Sequence, residues 1–338
     1  MIVSKRELAA AVAQRSGLTG LLASLPTRRG LLVLNYHRIG NAEACEYDSE
    51  TFSATGEEFD DQIGFLKRHC RLASLDEAIE MAAGGGKSKG TVVLLTFDDG
   101  YLDNYELAFP ILASHGVHGA FFLPTSYIGT NYIPWWDTIA FIIKTGRRKE
   151  FALAPPWSRR FDAGPQGERA VIRAVLGLYK SPLTEDGERF IAMLEEACGA
   201  ARPQAGQRSF MTWEEAAAML RGGMAIGSHT CRHEILSKLT AEEQFEELRS
   251  SRREIEDRLG SPVTAIAYPV GLTGTFSPVT LAAAEQAGYR AGFSFYGGFN
   301  PWGRMERFDI RRLGVARPTK ALFELRTTLA LATGKHCI

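Results

Sequence analysis

From Thr91 onward the sequence alternates short apolar runs with amphipathic stretches, and that rhythm admits few folds. Strands are expected at 91–97, 117–123, 224–228, 263–268 and 289–295, with helices at about 103–114, 212–221, 240–259 and 277–287 between them. Strands separated by helices imply a parallel sheet covered by helices, an α/β architecture. An apolar run at 31–36 and another near 308–315 raise the count to about seven strands. Periodicity alone does not separate a closed barrel from an open doubly wound sheet. At 338 residues the chain is long enough for one large domain with a substantial core.

The rhythm breaks at about 130–209, a stretch that opens on Tyr132-Ile-Pro-Trp-Trp136, contains Pro155-Pro156, and offers helices near 166–179 and 184–198. We expect a mainly helical insertion without a separate fold, because so broken a segment buries little core alone. Trp135 and Trp136 are read as core or lid residues, with stacking on sugar rings as the alternative. Ahead of the rhythm, residues 4–25 read as an amphipathic helix ended by Pro26, with Leu8, Val12, Leu18, Leu21, Leu22 and Leu25 apolar and Lys5, Arg6 and Arg15 polar. Docking of this segment (1–30) on the domain is favoured over binding a membrane surface. Residues 56–83 read as helices broken near 71–74. Gly84 to Gly90 is a connector whose Gly-Lys-Ser is no phosphate loop, since it precedes a strand instead of joining strand to helix.

The run 91–97 ends in Asp98-Asp99-Gly100. Strand ends are where α/β folds present their chemistry, and successive side chains on a strand point apart, so one carboxylate can serve a metal and the other a water or substrate. Gly100 lets the chain turn sharply away. The second half of the pattern is Ile226-Gly-Ser-His229-Thr-Cys-Arg-His233, with two imidazoles four residues apart that can grip one ion. Two His and one Asp make three ligands and leave a coordination position for water, as a catalytic metal site requires. The bland readings are a simple turn and a pair of surface or capping histidines; the two motifs together disfavour both.

Thr96-Phe-Asp-Asp-Gly100 and His229-Thr-Cys-Arg-His233 resemble the first two motifs of the polysaccharide deacetylases, carbohydrate esterase family 4, and Ile266-Ala-Tyr-Pro-Val-Gly271 stands where the third is expected. The resemblance implies a distorted seven-stranded (β/α) barrel over 31–338 with the insertion at about 130–209. It implies Asp98 as catalytic base and Asp99, His229 and His233 as ligands of one divalent ion. Zinc is the first expectation from two imidazoles and a carboxylate, with nickel, cobalt and iron also acceptable. It further implies the Val270 backbone N–H as a donor to the oxyanion, with Tyr268 beside it. Two departures stand out. Ala267 occupies the place of the arginine that usually contacts the base, and Arg311-Arg-Leu-Gly-Val315 lacks the usual C-terminal histidine acid, the only later one being His336. The N-terminal run Leu31-Leu-Val-Leu-Asn-Tyr-His37 resembles the Tyr-His element of the circularly permuted deacetylases of poly-N-acetylglucosamine, which implies His37 as the acid. Its plain alternative is a histidine that caps its strand. Trp302, in the glycine-bearing loop 295–302, is expected to reach over the cleft toward substrate.

The expected function is metal-dependent removal of N-acetyl groups from an amino-sugar polysaccharide, oligosaccharide or glycan precursor. A small-amide amidohydrolase and a weak glycan-binding protein are the alternatives. Lys+Arg and Asp+Glu balance at 39 each, so no global charge favours nucleic acid as partner, and a neutral glycan fits. Five scattered cysteines without a Cys-x-x-Cys pair argue against a disulfide framework or zinc ribbon. Gln14 and Arg15 interrupt the early Ala-rich stretch before a signal-like core forms, and no run reaches membrane-spanning length, which leads to the expectation of a cytoplasmic protein.

Overall fold

The computed structural model describes residues 5–23, 26–85, 90–165 and 167–334. His336, Cys337, Leu25 and most of the 84–90 connector lie outside the described residues. Seven parallel strands form a nearly closed barrel: β1 (Gly30–Tyr36), β2 (Thr91–Phe97), β3 (Ala120–Leu123), β4 (Ala225–Ser228), β5 (Ala265–Ala267), β6 (Ala291–Phe293) and β7 (Arg312–Gly314). Spatially β1 lies between β7 and β2, and β3 to β6 follow in sequence order. A parallel bridge from Phe293 to Ile310, just ahead of β7, brings the two ends together. This excludes the open sheet that periodicity had left standing.

Twelve helices are described. At the N-terminus α1 (Lys5–Arg15) and α2 (Leu18–Ala23) replace the single helix expected there; Gly17, in the left-handed region, separates them. Along the chain follow α3 (Gly56–His69), α4 (Leu75–Ala82) and α5 (Phe109–His115), then α6 (Trp135–Thr145), α7 (Glu168–Lys180) and α8 (Gly187–Cys198) of the interruption, then α9 (Trp213–Arg221), α10 (Ala241–Leu259), α11 (Pro278–Gln286) and α12 (Lys320–Thr333). Local sequence explains the starts: Thr55, Thr212 and Thr240 each cap a helix and receive a returning glutamate three residues on, which satisfies end N–H groups in pairs. A single π-helical turn over Asn104–Ala108 opens the stretch after Gly100.

Strand alternation sorts the core into two faces. Leu31, Val33, Val92, Leu94, Phe122, Ala265, Phe293 and Ile310 form one apolar cluster drawn from strands all round the barrel, its interior. Leu32, Leu34, Tyr36, Val93, Leu95 and Phe97 belong to a second, which includes helix residues such as Phe59, Ile63 and Leu248.

The interruption differs from expectation. Residues 131–209, joined by 41–50, form a compact unit of their own, distinct from the unit 1–40, 51–130 and 210–338. The reason is visible in its sides. Residues Trp135–Thr145 form a helix that sequence reading missed, 150–153 and 159–162 pair as a hairpin, and the Lys144 ammonium donates to the Cys45 carbonyl at 3.1 Å, so the distant 41–50 segment is tied in. Trp135 and Trp136 are buried, and Trp135 stacks on Tyr179 at 4.3 Å, so they belong to this unit's core and offer no sugar platform.

Candidate active site

β1 and β2 run in register from Gly30 against Thr91 to Tyr36 against Phe97, and the Asp98 N–H donates to the Tyr36 carbonyl. Asp98 and His37 therefore leave adjacent strands side by side. Alternation continues the interior series Leu31, Val33, Asn35 and Val92, Leu94, Thr96 to His37 and Asp98. The chain then turns through Asp99 and Gly100, both in the left-handed region (φ 71° and 68°). A Cβ on Gly100 would stand 2.9 Å from Leu123 and Ile128 side-chain carbons, so this turn requires glycine twice over.

Asp99, His229 and His233 are all buried and converge. Asp99 Oδ1 lies 3.5 Å from Nε2 of each histidine and has no hydrogen-bond partner. Two ligand atoms about 2.1 Å from one tetrahedral ion stand about 3.4 Å apart, so the spacing fits a small divalent cation. His229 Nδ1 is 2.8 Å from the Ala267 carbonyl, which can only accept; Nδ1 thus carries the proton and Nε2 keeps its lone pair for a metal. The loop bearing the histidines is held from α10, where buried Glu247 accepts the N–H groups of Cys231 and Arg232 and pairs with the Arg232 side chain at 2.8 Å. Cys231 turns its sulfur to the Glu247 carbonyl and takes no part in the cluster. Of the six non-glycine residues at positive φ among the described residues, four are Asp99, Thr230, His233 and Val270, a concentration of backbone strain of the kind that gathers at functional sites.

Asp98 does not lack an arginine. Arg312, fully buried on β7, donates to Asp98 through both terminal nitrogens, Nη1 at 2.7 Å and Nη2 at 2.8 Å, and its Nε donates to the Ser294 carbonyl. Asn35 completes the cage: its amide nitrogen donates to Asp98 Oδ2 at 3.0 Å while its oxygen accepts from Arg312 and from Thr96. Burial pushes the Asp98 carboxyl up, but the Arg312 charge, aided by His229 and His37, outweighs it and holds the group well below the usual carboxylate range. For Asp99, burial is likewise outweighed by the histidines. The two imidazoles, with centroids 4.7 Å apart, are shifted in opposite directions. Burial and the neighbouring His229 push His233 down to about 3, whereas the carboxylates outweigh burial and raise His229.

His37 is half-buried, its ring edge-on to Phe295 at 5.6 Å. Its backbone is gripped on both sides, the N–H donating to Ser53 Oγ at 3.0 Å and the carbonyl accepting from Asn104 Nδ2 at 2.7 Å. Val270 follows β5 at φ 62°, a costly conformation for a β-branched residue, and no described residue accepts its N–H. Two expected substrate contacts are overturned. Tyr268 is buried, its ring stacked on Phe276 and its hydroxyl donating to the Phe308 carbonyl, because it sits on the outward face of its strand. Trp302 donates its backbone N–H to the Arg29 carbonyl and packs on the interior cluster at the starting end of β1, the opposite end from His37, because Asn300-Pro301 pairs with Gly30 and Leu31.

The sequence profile of the family described as polysaccharide deacetylase matches residues 85–292. The chain belongs to the polysaccharide deacetylase family. The Bacillus subtilis protein YxkH is 24% identical over 262 residues, 78% of this chain and 63% of that protein. The poly-beta-1,6-N-acetyl-D-glucosamine N-deacetylase of Staphylococcus epidermidis is 31% identical over 116 residues, covering 31% of this chain and 40% of that one. The match therefore spans less than two thirds of either relative. Among solved structures, the Streptococcus pyogenes deacetylase PplD in complex with acetate superposes with a TM-score of 0.58 at 18% identity over 90% of this chain and 99% of its own, a likeness of fold. Within this family, sequence reasoning missed Arg312 and Asn35. The signal was alternation: Arg312 stands two residues after interior Ile310, and Asn35 two after interior Val33.

Proposed function

We propose that this polysaccharide deacetylase removes N-acetyl groups from an amino-sugar polymer or oligomer by hydrolysis, with Asp98 as base, His37 as acid, and Asp99, His229 and His233 as ligands of one divalent ion, zinc by preference. The observation that carries the reading is the buried, convergent Asp99, His229 and His233 set with the caged Asp98 next to it in the chain. An ion held there supplies positive charge that polarises an acyl carbonyl and makes a nearby water easier to deprotonate. Asp98, ionised and fixed by Arg312 and Asn35, accepts the proton of the attacking water. The Val270 N–H, free of protein acceptors among the described residues, donates to the oxyanion that develops as water adds to the carbonyl. His37, protonated, gives its proton to the departing amine, so that acetate and the free amino sugar result. Arg312 removes one of the two grounds for reading the chain as a weak binder, since the arginine contact thought missing is made from another strand; the other, the missing C-terminal histidine, is met in this reading by His37. The Staphylococcus relative acts on poly-beta-1,6-N-acetyl-D-glucosamine by name, which makes that polymer the first substrate to offer. Acetate release from its oligomers, abolished by chelator and restored by zinc, is the expected result. Release from small N-acetyl amides but from no sugar would replace this reading with that of a small-amide hydrolase.

A further inference from the structure

Helix α1 is apolar on two sides. Ala10 and Ala13 are buried where α1 packs on α12, and α2 packs on α12 alongside it. On the opposite side of α1, at helical spacing, Leu8 and Val12 are 62% and 60% exposed, and on α2 Leu18 and Leu21 are 45% and 63% exposed. Four of the nine exposed large hydrophobics among the described residues thus fall on two adjoining short helices. A helix that turns small residues inward and large apolar ones outward is built for a second cover. The charge around it identifies the cover. The first 29 residues carry five cationic side chains, Lys5, Arg6, Arg15, Arg28 and Arg29, against one anionic, Glu7, a surplus of four in a chain whose net charge is zero. Lys5, Arg6 and Arg15 are exposed, and Arg15 lies one helical step beyond Val12 on the same face.

We infer that α1 and α2 dock the protein on an anionic lipid bilayer, lying in the interface with Leu8, Val12, Leu18 and Leu21 inserted and the cations at headgroup level. Exposed leucines rimmed by lysine and arginine match that environment, in which both apolar insertion and charge contribute. A second copy of this chain suits the surface less, because a two-fold contact would set each cationic patch against its own image. No described helix is long and apolar enough to cross a membrane, so attachment would be at the surface.

Flotation of the full chain with phosphatidylcholine vesicles, with and without phosphatidylglycerol, tests this. We expect binding to the anionic vesicles, about tenfold weaker to neutral ones, and weakened by salt. The variant Leu8→Ser/Val12→Ser/Leu18→Ser/Leu21→Ser and the variant Lys5→Glu/Arg6→Glu/Arg15→Glu should each lose about tenfold or more, with melting midpoints unchanged. Should the serines lower the midpoint, the charge-reversal variant decides alone. Absence of flotation, or flotation equal in wild type and charge reversal, overturns the inference. So does a dimer in solution that the serine variant dissolves, which would assign the surface to a second copy. None of these readouts uses turnover, so the outcome is independent of the proposed activity.

Discussion

Arg312 is fully buried and both its terminal nitrogens contact one carboxylate, so its removal would strand a charge. Breaking such a pair from one side costs about 3–5 kcal/mol. Arg312→Met should therefore lower stability by that order, read by denaturant titration at neutral pH. The pH dependence has a definite sign. In the wild type the Asp98 pKa lies below its ordinary 3.8, so its contribution to stability is present above that value and is lost as pH falls through the depressed one. In Arg312→Met, burial acts with less opposition, the carboxyl's pKa rises, and the acid limb of kcat/KM should move to higher pH. An unmoved limb would mean that Arg312 does not set the base. His37 is tested by leaving group. His37→Ala should cost on the order of 10²-fold or more in amide cleavage and less with an ester whose leaving group needs little protonation, since only the amide depends on a donated proton. Equal losses on both substrates would return the acid role to another residue. At this scale the sequence shows Asp98, Asp99, His229 and His233 because they cluster in short motifs. It hides Arg312, whose partner Asp98 lies 214 residues away and whose burial only strand alternation betrays.

Loops and strand ends, more than single side chains, set the geometry of the candidate site. The His229–His233 loop takes left-handed backbone at Thr230 and His233, and buried Glu247 on α10 satisfies two of its N–H groups. Glu247→Ala would leave those donors without their acceptor and let the loop relax, which should weaken zinc binding by about 10–100-fold in a chelator-competition titration. Glu247→Gln retains an acceptor and should recover much of the affinity. If Ala and wild type bind zinc alike, Glu247 supports the helix and not the site. The π-helical turn at 104–108 serves the other side of the cleft, since it carries the Asn104 amide that holds the His37 carbonyl. Helices with polar caps were legible here to within a few residues, as at 241–259, where Thr240 and Glu243 announce the start. The break between α1 and α2 was less so, because the apolar pattern runs on across Gly17.

Across the molecule, the strand–helix rhythm made the parallel barrel legible, and its closure rests on one pairing, Phe293 with Ile310, that no local pattern announces. The second unit was the least legible part, because its core recruits residues 41–50 from beyond the stretch that interrupts the rhythm. Metal binding should be felt at this largest scale. Asp99, His229 and His233 come from two segments 130 residues apart and meet only in the folded barrel, so an ion they bind has no comparable site in the unfolded chain. Binding restricted to the native state adds about 4 kcal/mol when free ion exceeds the dissociation constant by about 1,000-fold. For a domain of this size that corresponds to a rise in melting midpoint on the order of 5–10 °C. Calorimetry of zinc-loaded and chelated protein should show that rise. His229→Ala, which leaves the neighbouring carboxylates but removes one ligand, should melt at the same temperature with and without zinc. A zinc-induced rise of equal size in His229→Ala would place the stabilising ion elsewhere on the chain and remove the support that the Asp99, His229 and His233 cluster gives to the proposed chemistry.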